Sequence, residues 1–438
     1  YADDLILLSE TPLGLQNQLN ILNEYCNTWK LQINTEKSKV IIFESRKNNK
    51  NNATFYINSQ SLEQVYTYKY LGVIINYRGE FNEGKQDLQL RAQKAYFKLR
   101  KLLNIDIINP KLYLDIFDKT VVPIATYASE VWGSFNTDTR RYMQNKSPEY
   151  LYDEHICEKP HLKLCKILLG VNQKASNHAS RSELGRYPIM ITIIANILCY
   201  RARLEKDKST SILKETFNDD TMIASKDKTN WYSCTKEILR YLNLDRTFLC
   251  RYSSKTIRKR VIHKLKQSYD SYFRSSIFND HRKDANENNK LRTFRLFKQN
   301  IKYEPYLDLH ISKNIMKQYT QLRLSAHKLN IEIARYIKCP KELRTEQKLA
   351  ARKCTNCDLN VDENEIHFLL ECNKYDNIRT PFLNEIHDIC MNTRHLNKEQ
   401  TFIWLMSNED KSVMIKSIKF VNECFKLRGD PSTHTAMP

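Results

Sequence analysis

No apolar run in this sequence is long enough to span a bilayer. The longest, Tyr187 to Tyr200, is broken by Pro188, Thr192 and Asn196 and falls short of the roughly 20 residues a spanning helix needs. A buried helix is expected there, and no membrane partner. Cysteine is present but not dense: 12 residues in 438 exclude a disulfide scaffold and read as a reducing compartment, with most thiols free and some available to metal. No leader segment and no internal repeat is visible. Acidic residues are in deficit, with 50 Asp and Glu against 70 Lys and Arg, leaving a formal charge of +20 and a pI near 9.3. That balance points to a polyanionic partner. The remaining composition, 41% hydrophobic and 27% charged, is ordinary for globular protein, in a chain long enough for about two to four domains.

Periodicity gives the organisation. Thr11 to Trp29 is the clearest helix: Thr11 caps, Pro12 suits the first turn, and Leu15, Leu19, Leu22, Cys26 and Trp29 make one apolar stripe. Strands are expected at Val40 to Phe43, Thr54 to Ile57 and Tyr70 to Ile75, with Gly72 at a bend and a charged surface turn at Arg46 to Asn52. After Gly84 the pattern turns helical. Leu88, Ala92, Ala95, Tyr96, Leu99, Leu102 and Leu103 mark an apolar face, opposite Arg91, Lys94, Lys98, Arg100 and Lys101. Helical patterns recur at Tyr113 to Phe117, Val121 to Trp132, His161 to Leu169 and Glu183 to Leu204. Residues 136–153 read as a loop, 207–230 as a linker or exposed helix, and 429–438 as a tail. Between Arg251 and Lys266 basic residues crowd near Tyr252, Tyr269 and Tyr272. Phosphate contact with base stacking is one use of such a stretch, and a solvated helix face is another.

The chain opens Tyr1-Ala2-Asp3-Asp4, followed by the apolar run Leu5 to Leu8. Adjacent carboxylates on a turn before an apolar strand suit nucleotidyl transfer, which uses two divalent ions about 3.5–4 Å apart. Carboxylate oxygens suit Mg²⁺. An Asp-Asp pair alone is more often an ordinary turn; the order of the downstream segments lifts it. YADD is followed by an amphipathic helix, then WKLQINTEKSKVIIF at Trp29 to Phe43, then YKYLGV at Tyr68 to Val73.

This ordered set resembles the reverse transcriptases of non-LTR (LINE-type) retrotransposons, with YADD as motif C, the second block as motif D and the third as motif E. The resemblance implies an α+β fold. A partial polymerase palm over residues 1–80 would be followed by a thumb-like helical region at 81–150, a helical C-terminal region at 151–345, and a zinc-knuckle region with a tail at 346–438. It implies Asp3 as the principal Mg²⁺ ligand with Asp4 as its weaker partner. Lys37 would be proton donor to the leaving pyrophosphate, with Lys39 close enough to be confused with it. Tyr70, Leu71 and Gly72 would form the primer grip, and Arg91, Lys94, Lys98 and Lys101 would lie on the template–primer duplex. YASEVWG at Tyr127 to Gly133 and ELGRYPI at Glu183 to Ile189 resemble downstream segments, with no chemistry attached. The implied activity is RNA-directed DNA synthesis primed by a nicked target, with RNA template, DNA primer and dNTP as partners. The implied setting is the nucleus after cytoplasmic ribonucleoprotein assembly. The start at Tyr1, inside what should be a hairpin, reads as the C-terminal part of a longer protein. The family's motif A aspartate and fingers are not among these residues, so the polypeptide is expected to be inactive alone. No convincing nuclease set follows Cys372.

Cys354-x2-Cys357-x9-His367-x4-Cys372 is the strongest metal signal. Three thiolates and an imidazole make a closed tetrahedral Zn²⁺ site of the structural kind, and the spacing is similar to the zinc knuckle that follows the polymerase in many LINE proteins. His367 and Cys372 are expected on a short helix backed by Phe368, Leu369 and Leu370. His155, Cys157, His161 and Cys165 also crowd together, but such a stripe is more often packing than metal. Two rival readings stand beside the polymerase: a non-catalytic nucleic-acid-binding protein using the basic helix and knuckle, and a degenerate relic that binds nothing.

Overall fold

Thr11 starts the first helix as its sequence dictates. Its hydroxyl accepts the Gly14 N–H at 3.1 Å, and Pro12 occupies the first turn of α1 (Pro12–Thr28). The computed structural model describes residues 4–43, 53–133, 152, 155–225, 230–278, 290–337 and 344–429. Tyr1, Ala2 and Asp3, the 46–52 turn, most of the 136–153 loop and the tail after Gly429 lie outside the described residues.

The strands that follow α1 are short: β1 (Lys39–Val40), β2 (Tyr56–Ile57), β3 (Gln60–Ser61), β4 (Glu63–Gln64), β5 (Thr67–Tyr70) and β6 (Val73–Asn76). They pair as β1 with β4 in parallel, and as the antiparallel hairpins β2–β3 and β5–β6. Leu19, Val40, Phe55, Ile57 and Leu62 form a small core under them. Three expectations are corrected here. Leu5 to Leu8 forms no strand and pairs with none among the described residues, and Leu5 and Leu8 stand 62% and 60% exposed. The strand expected at Val40 to Phe43 lies instead at Lys39 and Val40, the two residues that reach β4. Trp29 leaves the apolar stripe because it is the C-cap of α1, and it is exposed. The small paired strands and helices are compatible with an α+β class.

From residue 82 the chain is helical. It begins with α2 (Asn82–Leu102), α3 (Pro110–Thr120), α4 (Val122–Ala125) and α5 (Ser129–Trp132). Leu88, Ala92, Tyr96 and Leu99 are the buried stripe of α2, while Leu102 is exposed at its last turn, contrary to expectation. Then come α6 (Glu158–Leu168), α7 (Asn177–Glu183), α8 (Met190–Lys206), α9 (Ile212–Ser225), α10 (Trp231–Tyr241), α11 (Arg246–Arg251) and α12 (Ser254–Phe278). α8 is the buried helix expected from the longest apolar run, and it packs against α12. α12 buries Ile257, Val261, Leu265, Tyr269, Phe273 and Ile277, one per turn. Tyr269 is therefore core rather than a stacking platform. Two of the basic residues on α12 are held within the protein: Lys264 donates to the Leu242 carbonyl and Arg258 to Asn196.

The remaining helices are α13 (Phe294–Phe297), α14 (Lys313–Arg323), α15 (Asn330–Ile333), α16 (Arg344–Ala350), α17 (Asp376–Ile389), α18 (Lys398–Ser407) and α19 (Lys411–Arg428). Every helix from α2 to α19 except α16 contributes to one continuous core. The ELGRYPI block ties it together. Gly185 has φ +62°, and a Cβ there would stand 2.6 Å from the Tyr303 nitrogen, so only glycine fits this backbone crossing. Buried Glu183 accepts from Arg323 Nε at 3.0 Å, and the same guanidinium reaches Glu304 at 2.9 Å. Among the described residues no helix is long and apolar enough to cross a membrane.

Candidate nucleic-acid interface and metal centre

The β5–β6 hairpin turns at Leu71 and Gly72, with φ +44° and +81°. Positive φ at both central residues is the turn geometry whose twist matches the flanking strands. Glycine meets it freely; leucine does not. Both carbonyls of the turn are held from the helical side. Tyr127 Oη donates to the Leu71 carbonyl at 3.0 Å, and Arg91 Nη2 donates to the Gly72 carbonyl at 2.7 Å. Asp87 completes the clamp, pairing with Lys69 of β5 at 3.1 Å and Arg91 at 3.0 Å. Tyr127 is fixed in turn by Trp132, whose indole N–H donates to its carbonyl at 2.6 Å. The YASEVWG block thus has a structural task that the sequence did not show, because its contact lies 56 residues away.

Arg91 does not stand with the other three cations proposed for the duplex. Its guanidinium is engaged by the turn and Asp87, whereas Lys94, Lys98 and Lys101 are exposed along α2. Leu71 is exposed at the hairpin tip, and Tyr70 and Gly72 are half-buried behind it. The two motif D lysines also separate. Lys39 pairs with Glu63 at 2.6 Å. Lys37 is exposed on a turn where its N–H donates to Asn34 and its carbonyl accepts from Tyr68 Oη at 3.1 Å. The structure therefore leaves Lys37, not Lys39, with a side chain directed to solvent. Asp4 is exposed just before the apolar segment, and Asp3 lies outside the described residues.

Cys354, Cys357, His367 and Cys372 come together. Their ligand atoms all lie within 4.8 Å of one another. The Sγ atoms of Cys354 and Cys372 are 3.9 Å apart, and Cys357 Sγ is 3.5 Å from His367 Nε2. A tetrahedral Zn²⁺ with bonds of about 2.3 Å to sulfur and about 2.05 Å to nitrogen has S–S edges of roughly 3.8 Å and S–N edges of roughly 3.6 Å. Those two edges match the ion, and with all four ligand atoms within 4.8 Å of one another the others close on it by shifts of at most about 1 Å. Burial pushes the Cys372 thiol up to about 12 and raises Cys354, so a bound cation is what would hold both as thiolates.

Local winding explains how a His-x4-Cys pair reaches one point. His367–Glu371 is a π-helical turn, closed by Cys372 N–H to the His367 carbonyl at 2.8 Å. In an α-helix residues five apart diverge by about 140° around the axis, and the wider π turn brings them back to one side. Phe368, Leu369 and Leu370 are buried behind it. His367 Nδ1 faces the Glu371 carboxylate at 3.4 Å, leaving Nε2 toward the thiols. The loop between the ligand pairs is anchored by two buried carboxylates. Glu363 binds Arg428 through both oxygens at 2.7 Å. Glu365 accepts from Arg292 at 2.8 Å and meets His327 at 2.9 Å. Burial would raise the Glu365 carboxyl, but Arg292 and His327 outweigh it and hold it well below the ordinary carboxylate range.

The second His/Cys stripe has other partners. His161 Nδ1 meets Glu158 at 2.7 Å while its Nε2 accepts from Arg186, and the Cys157 thiol donates to the Ala125 carbonyl. His155 stacks on Trp132, and burial with nearby Lys85 lowers it to about 4. It is packing, as its spacing suggested.

Residues 1–75 match the family described as reverse transcriptase (RNA-dependent DNA polymerase). The chain is 32% identical over 142 residues to a transposon-derived protein of Caenorhabditis elegans, covering 31% of this chain and 48% of that protein. Two Drosophila melanogaster proteins described as probable RNA-directed DNA polymerases are also similar. The one from transposon BS is 26% identical over 192 residues, 41% of this chain and 21% of that protein. The one from transposon X-element is 23% identical over 185 residues, 40% and 20% of the two chains. The aligned region thus spans about half of the nematode relative and about a fifth of each fly relative. The opening segment thus matches the reverse transcriptases, and its motifs resemble those of the non-LTR retrotransposon kind.

Proposed function

We propose that this chain works within an RNA-directed DNA polymerase of a non-LTR retrotransposon, holding the primer–template duplex between the β5–β6 tip and the basic face of α2. The family match over residues 1–75 carries the reading, and the turn clamped to Arg91, one turn before the helix stretch that exposes Lys94, Lys98 and Lys101, supports it. Leu71 and Gly72 would meet the primer strand, and the three lysines its phosphates. Asp3 and Asp4 would supply carboxylate oxygens to Mg²⁺, which when bound activates the primer 3′-hydroxyl and steadies pyrophosphate. Lys37 would deliver a proton to that leaving group. The Cys354–Cys357–His367–Cys372 site would hold Zn²⁺ for folding. Template RNA, target DNA and dNTP are the proposed partners, and the nucleus, after cytoplasmic assembly with RNA, the proposed place of action.

Binding of a blunt RNA–DNA duplex, followed by fluorescence anisotropy across a salt series, tests this. Replacing Lys94, Lys98 and Lys101 together by Gln should weaken binding at low salt at least tenfold and make the slope of log K against log salt shallower by about two to three. Affinity indifferent to salt, or to the triple change, would sink the interface.

A further inference from the structure

A cleft of about 340 Å³ opens between α2 and α6, within the roughly 300–1,000 Å³ typical of ligand pockets. Gln93 and Phe97, one turn apart on α2, form one wall. Lys159 and Lys163, one turn apart on α6, form the other, with Lys166 deeper. Phe97 is 44% exposed, although its neighbour Tyr96 is buried. The Lys163 ammonium lies over the Phe97 ring, 4.9 Å from its centroid, so a base stacking there would displace it toward the adjoining phosphate. Lys166 is committed to the Gln173 carbonyl at 2.8 Å, but Lys159 and Lys163 are exposed. Among the described residues no carboxylate lines the cleft.

An exposed aromatic face beside two exposed cations suits an occupant that is both flat and anionic. An acidic peptide supplies charge without the flat face; a nucleotide supplies both. The location agrees, because Phe97 lies between Lys94 and Lys98 in sequence and borders their face of α2, so a strand leaving a duplex there has a short path into the cleft. Resting on the duplex-interface reading, we propose that the cleft takes an unpaired nucleotide continuing from the bound duplex, its base stacked on Phe97 and its phosphates against Lys159 and Lys163.

The full chain should bind a duplex bearing a short single-stranded overhang about tenfold more tightly than the blunt duplex, the scale of one stacked base. Phe97→Leu should remove most of that advantage and leave blunt-duplex affinity unchanged. Lys159→Gln with Lys163→Gln should reduce the advantage and its salt dependence. Phe97 is exposed, so Leu keeps the helix, and an unchanged thermal midpoint checks this. Equal affinity for the overhang and blunt duplexes, or an advantage that survives Phe97→Leu, overturns the cleft while leaving the interface standing. Single strand bound through Phe97 with no blunt-duplex binding overturns the interface and not the cleft. Competition by polyglutamate as effective as by single strand would reassign the cleft to an acidic polypeptide and overturn the proposal.

Discussion

Leu71 stands where a tight hairpin favours Asn or Gly. Its left-handed conformation costs roughly 1–2 kcal/mol, and it persists because Tyr127 and Arg91 hold the turn from behind. Strain kept at an exposed tip points to use of the side chain. Leu71→Asn should therefore raise stability by up to about 1 kcal/mol in chemical denaturation while weakening primer–template binding. A variant that is less stable, or that binds unchanged, would remove the leucine's role. At this scale the sequence was partly legible. Gly72 is readable as a turn residue because of what glycine permits. Arg91 is not readable as a clamp, since it shares the helix periodicity of Lys94, Lys98 and Lys101 and its partners lie on a hairpin that periodicity cannot place.

Among the elements, the π turn at His367–Glu371 joins ligand spacing to geometry. The four residues that cluster were evident as candidate ligands from residue type and interval, but the winding that brings His367 and Cys372 together was not, because no residue in HFLLEC demands it. The metal and the turn are expected to support each other. Removing Zn²⁺ with a chelator, or Cys372→Ser, should expose the amides of residues 352–376 to hydrogen exchange, with apparent metal-binding energies of structural sites on the order of 10–16 kcal/mol at stake. Exchange rates in this stretch that ignore the chelator, with zinc content near zero in the purified protein, would rule the metal out. Strands were the least legible elements. Ile41, Ile42 and Phe43 have strand-forming side chains, yet pairing depends on where β4 lies and ends at Val40.

In the whole molecule, the core beneath α1 and β1–β4 has five buried residues, while the helical core runs from Leu88 to Cys424. Buried apolar area sets local stability, so amides of α1 and β1–β4 should exchange faster than those of α8 and α12 under native conditions. The β5–β6 hairpin, clamped to α2, should exchange with the helical unit. Uniform exchange across both cores, or a hairpin that follows α1, would contradict that division.

That clamp also fixes where the protein can hinge. The hairpin precedes α2 in the chain and leans toward the motif D turn through Tyr68, yet three of its residues, Lys69, Leu71 and Gly72, are anchored to Asp87, Tyr127 and Arg91. The junction between β6 and α2 is thereby stiffened. Flexing between the two cores is then expected upstream, at the joint of Val65 and Tyr66, where backbone pairing passes from the Val40 carbonyl to Tyr77. A duplex advancing by one base pair, about 3.4 Å, would then be tracked by tip and helix as one lever pivoting on that joint.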